Sequence, residues 1–82
     1  MDPIPISFKH NGIKYNDSYF TRVIRNGEAA FWHLYDGDNT YLGRLRFNNK
    51  WTFDPDKKTT GIDQLAEFFG DYVEKKNRSN AA

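Results

Sequence analysis

Asp36, Asp38 and Asn39 crowd around Gly37 in the stretch from Tyr35 to Thr40. Oxygen-bearing side chains at alternate positions are how a short loop encloses a calcium ion. A loop of the EF-hand type also needs a glycine at its sixth position and a glutamate at its twelfth. Counted from Asp36, those positions hold Tyr41 and Phe47. Both fail, and the flanks alternate apolar and polar as strands do. A hairpin turn accounts for every residue instead. Gly37 tolerates positive φ, and Asp and Asn bond to their own backbone. The stretch is read as a turn, and no metal site is expected.

The other candidates for chemistry are few. The chain has no Cys, which excludes thiolate nucleophiles, disulfides and zinc–thiolate centres. His10 precedes Asn11-Gly12 and reads as a solvated turn residue; His33 lies among aromatic residues and reads as a packed strand histidine. Asp54 and Asp56 flank Pro55 and read as loop residues. No glycine-rich phosphate loop and no triad ordering can be assigned. The expectation is a non-enzymatic protein with no cofactor and no catalytic residues.

A different chemistry is suggested by arginines set among rings. Arg22, Arg44 and Arg46 lie in segments that also carry Phe31, His33, Tyr35 and Trp51. Guanidinium groups and aromatic rings on one surface suit a protein interface. They also suit single-stranded nucleic acid, whose bases stack on rings and whose phosphates pair with arginine. These seven residues are the candidate binding site.

Whether they share a surface depends on the elements that carry them. Asn11-Gly12, Asn26-Gly27, Asp36-Gly37 and Asn48-Asn49 punctuate segments rich in β-branched and aromatic residues, the pattern of a meander of hairpins. Strands are expected at about Ile4–Lys9, Ile13–Tyr15, Tyr19–Arg25, Glu28–Tyr35, Tyr41–Phe47 and Lys50–Phe53. Asp54-Pro55 ends the last of them, because proline cannot donate to a ladder. Beyond it, Ile62, Leu65, Ala66, Phe69, Tyr72 and Val73 recur at spacings of three and four and predict an amphipathic helix. Thr60 is the expected N-cap, with Asp63 completing a capping box. Gly70 would let that helix cross the sheet closely.

The expected architecture is α+β. An antiparallel meander sheet of about four to six strands is followed by one C-terminal α-helix packed on one face. Residues 1–76 form a single domain and 77–82 a flexible tail. The order of strands followed by a helix is similar to that of the whirly-type and PUR-repeat single-strand binders. This likeness of layout spans most of the chain, and it implies a sheet face that binds single-stranded nucleic acid.

Two-residue turns at Asn26-Gly27 and Asn48-Asn49, with a loop over 36–39, divide the side chains between two faces. The face expected under the helix carries Tyr19, Thr21, Val23, Ala30, Trp32, Leu34, Tyr41, Gly43, Leu45 and Phe47. In it, Gly43 lies opposite Trp32 and makes room for the indole. The second face carries Phe20, Arg22, Ile24, Phe31, His33, Tyr35, Leu42, Arg44, Arg46, Trp51 and Phe53.

At 82 residues with 17% aromatic content, the chain is one small domain whose core is filled economically by large rings. Its net charge of +1 is not the basic footprint of a strong duplex binder. The N-terminal residues lack a basic leader and a long apolar run, and no stretch reaches the length of a membrane span. A soluble cytoplasmic protein is expected. Its function is that of a small interaction module, with self-association through the second sheet face among its forms; the alternative is single-stranded nucleic-acid binding through that face.

Overall fold

The computed structural model describes residues 3–27, 30–56 and 61–81, with the backbone alone for 77–81. It has five strands: β1 (Ile4–His10), β2 (Ile13–Val23), β3 (Phe31–Tyr35), β4 (Tyr41–Asn48) and β5 (Lys50–Pro55). They form one antiparallel sheet in chain order. A 3-10 turn over Ile62–Leu65 then leads into α1 (Ala66–Ala81). This is the α+β meander with a C-terminal helix that the sequence predicts. Two of the expected strands fuse into β2, β5 runs on to Pro55, and the backbone of α1 continues past Lys76. The expected Thr60 cap lies outside the described residues, as does Glu28, which a two-residue Asn26-Gly27 turn would pair with Arg25. Among the described residues no helix is long and apolar enough to cross a membrane.

Each turn follows local chemistry. Asn11 and Gly12, at φ 51° and 77°, join His10 to its partner Ile13. Two successive positive φ values are those of a type I′ hairpin, which matches strand twist. In the 36–39 turn, the Asn39 N–H donates to the Asp36 carbonyl at 3.0 Å. Asp36 Oδ1 accepts from the N–H groups of Asp38 and Thr40, both at 2.9 Å. The Asp36 carboxylate thus closes the turn.

The helix covers the sheet through its apolar stripe. Ile62, Ala66, Phe69 and Val73 are buried, with Leu65 and Tyr72 packed beside them. Against them lie Ile4, Ile6, Phe20, Trp32, Leu34, Leu42, Leu45 and Phe53. The Phe69 ring meets Phe8, Phe20 and Phe53 with centroids 5.1, 5.5 and 5.2 Å away. Tyr72 donates its hydroxyl hydrogen to the Pro5 carbonyl, tying the helix to the edge strand β1.

The covered face differs from expectation in three strands. Val23 pairs with Phe31 and Arg22 with Trp32, so the β2–β3 connection is longer than a two-residue turn. That one-residue shift sends Phe20 and Arg22 to the helix side and Tyr19, Thr21 and Val23 to the outer side. In β4, Leu34 pairs with Gly43 but Tyr35 pairs with Tyr41. Leu42 is therefore the extra residue of a bulge; it is buried in the core, while Tyr41 lies outward beside Tyr35. At the β4–β5 turn Asn49 alone, at φ 64°, separates the paired Asn48 and Lys50. Trp51 and Phe53 consequently fall on the helix side.

Two glycines are set by close approach. Gly43 faces Leu34, not Trp32; a Cβ there would stand 2.5 Å from Phe53 Cζ and 2.6 Å from the Asp54 carbonyl oxygen. Its absence makes room for Phe53. Gly70 lies against the Trp51 indole, where a Cβ would come within 2.2 Å of the ring. The close crossing expected at Gly70 is thus made by a tryptophan laid on the helix backbone. Gly70→Ala should destabilise the domain by about 1–3 kcal/mol, because overpacking outweighs the gain in helix propensity. Urea denaturation checks this, and an unchanged or raised midpoint would contradict the described packing.

Candidate interaction face

The outer face of the sheet carries the site. Cross-strand pairs Tyr19–Tyr35, Thr21–His33 and Val23–Phe31 join β2 to β3 there. Pairs Phe31–Arg46 and His33–Arg44 continue it onto β4, and Arg44–Asp54 and Arg46–Thr52 onto β5. Of the seven candidate residues, Phe31, His33, Tyr35, Arg44 and Arg46 come together. Arg22 and Trp51 lie on the opposite, helix-side face, for the register reasons given above. The face also gains Tyr19 and Tyr41, which the sequence places under the helix, and the Arg25 guanidinium reaches it.

Five rings form a continuous run. Tyr19 stacks on Tyr35 at 5.3 Å, and Tyr35 meets Tyr41 edge-on at 5.8 Å. His33 contacts Tyr41 at 5.2 Å, Tyr35 at 6.3 Å and Phe31 at 5.4 Å. Such edge-to-face contacts suit the aromatic quadrupole. Tyr19 also donates a hydrogen bond to Asn39 Oδ1, which fastens the run to the 36–39 turn.

The arginines cluster at one end of the run. The guanidinium carbons of Arg25 and Arg44 each lie 5.3 Å from the centroid of Phe31, within the range of cation–π attraction. Phe31 is only 6% exposed, although it faces away from the helix, because those arginines roof it. Arg46 Nε lies 3.0 Å from Asp54 Oδ2, with both side chains about half exposed; such a surface pair contributes little stability. Carboxylates gather toward the other end, where Asp36 and Asp38 occupy the turn and the Asp56 N–H bonds to the Leu42 carbonyl.

This field acts on the titrating rings between. Burial lowers the affinity of His33 for a proton, and the nearby positive charges of Arg44 and Arg25 lower it further. Burial pushes the Tyr41 hydroxyl upward against the opposing pull of Arg44, and Tyr35, Asp56 and Asp54 add to the rise. Both rings therefore stay neutral over a wide range near neutral pH.

The remaining candidates lie elsewhere. His10 is half-buried at the end of β1, and its Nε2 is 3.1 Å from where a Cβ on Gly61 would stand; it is not the solvated turn residue the sequence suggests. Among the described residues no group of three or more His, Asp or Glu side chains is placed to hold a metal ion. No protein-family model, curated protein or solved structure matches the chain.

His33 should titrate below the ordinary value of 6.5 in a histidine NMR titration. Arg44→Gln should raise the midpoint without restoring 6.5, since burial is the larger cause. The unfolded chain holds this proton more tightly, so the contribution of His33 to stability is lost as pH falls from 6.5 through the folded midpoint. A wild-type midpoint at or above 6.5 would contradict these surroundings.

Proposed function

We propose that the chain is a small non-enzymatic interaction module that self-associates through the outer face of its sheet. The observation that carries this reading is the continuous run of five rings on an uncovered sheet face, with charges of opposite sign toward its two ends. Half-exposed tyrosines and arginines are the residue types that dominate binding energy in interfaces. The charge layout favours a second copy as the partner. Arg25, Arg44 and Arg46 lie toward Phe31, and Asp36, Asp38 and Asp56 lie toward Tyr35 and Tyr41. A two-fold axis lying in the plane of the interface and running across the strands sets each arginine end on the acidic end of the other copy. Isologous pairing requires that kind of self-complementarity.

Single-stranded nucleic acid is the second reading, and the same ring run supports it, because bases stack on tyrosine and histidine. Asp54, held against Arg46, and the carboxylates near Tyr41 weigh against it, since they repel a phosphate backbone.

Analytical ultracentrifugation of the wild type and of the double variant Arg44→Glu, Arg46→Glu separates the two. Both side chains are exposed, so the fold should survive. A wild-type dimer that weakens at least about tenfold in the variant supports self-association. A wild-type monomer that binds an oligothymidine with steep salt dependence, lost in the variant, supports the nucleic-acid reading instead. A monomer with no oligonucleotide binding removes both.

A further inference from the structure

On the helix side of the sheet, away from the outer face, Trp32, Phe47, Trp51 and Glu74 line a cavity of about 340 Å³. We infer that this cavity binds an organic ammonium cation, a methylated or quaternary nitrogen on a short stem. It is built from β3, β4, β5 and α1, and it exists because the observed register brings Trp51 to the helix side. Trp32, only 7% exposed, forms its floor, and Phe47, 52% exposed, forms its rim. The rings do not lie flat on one another. Trp32 and Trp51 are 5.6 Å apart and inclined at 53°; Phe47 and Trp51 are 5.2 Å apart at 67°. Inclined rings turn their negative faces toward a shared space from more than one direction. That is how aromatic cages hold a cation whose charge is spread over alkyl groups.

The lining selects among cations. An inorganic divalent ion needs several oxygen ligands, and among the described residues these walls offer one carboxylate side chain, Glu74. A methylated ammonium needs no oxygen ligands, and its methyl groups gain from leaving water against indole. The rings carry the recognition. Arg22, which pairs with Trp32 in the sheet, is not among the lining residues.

Choline-type small molecules and N-methylated lysine side chains share that cationic head.

Trp32 and Trp51 are the chain's two tryptophans, so intrinsic fluorescence reports on this cavity directly. The full chain is titrated with choline, glycine betaine, an acetylated trimethyl-lysine amide, and 3,3-dimethylbutan-1-ol, the uncharged isostere of choline. A saturable fluorescence change is expected with the ammonium probes, and binding of the isostere should be weaker by about fivefold or more, as loss of a cation–π contact implies. The tighter of choline and the lysine derivative identifies the source. Phe47→Ala, at an exposed rim position, should keep the near-ultraviolet dichroism of the fold and weaken choline by about fivefold. Absence of saturation with every ammonium probe, or equal binding of the uncharged isostere, would overturn the inference. The outcome is independent of the outer face, whose variants should leave it unchanged.

Discussion

Everything in this domain is arranged around one ring. Phe69 takes edge and tilted contacts from Phe8, Phe20 and Phe53, which belong to β1, β2 and β5. No two of those strands are neighbours except β1 and β2. A single side chain therefore holds both margins of the sheet to the helix. In a domain of this size, whose whole stability is of the order of 5 kcal/mol, a buried phenylalanine contributing about 3–5 kcal/mol decides whether the fold exists. It also decides, by exclusion, which face stays open. The helix can cover only one face, so the face it leaves is the one on which Tyr19, His33, Tyr35 and Tyr41 stand.

The fold class, the helix and its buried stripe were legible because their signals are periodic and redundant. Ile62, Ala66, Phe69 and Val73 repeat the same message at successive turns. The sheet's two faces were less legible, because parity hangs on single residues. A two-residue Asn26-Gly27 turn is the loud reading of that dipeptide, yet the strands stop at Val23 and Phe31 and the connection is longer. Leu42 bulges out of register beside Gly43, a strand glycine that reads in sequence as room for a facing ring and equally fits a bulge. Asn49 alone turns the chain where Asn48-Asn49 suggested a pair. Each event moves a strand's side chains to the opposite face. Phe31, His33, Tyr35, Arg44 and Arg46 kept their expected company because the β3–β4 register moved by an even number of residues over most of its length. Arg22 and Trp51, on strands displaced by one, did not.

The displaced residues are not idle. Trp51 moves from the candidate face to lie on Gly70 and beside Trp32 and Phe47, which gives the helix side its own aromatic cavity. The two faces of the sheet thus carry different aromatic chemistry. The outer one is phenolic, with hydroxyls and histidine near charges of both signs. The inner cavity is indole-rich, with a phenylalanine at its rim.

The chain-order topology of the sheet has a consequence for synthesis. Every strand pairs with the one made just before it, so contacts are local in sequence and the hairpins can form as the chain emerges. Phe69 is made after all of them. Until the helix arrives, Phe20, Leu34, Leu45 and Phe53 lie on one side of a finished sheet with nothing over them. The nascent sheet is therefore a species exposed to aggregation, because its apolar face stays bare until the helix is there to cover it.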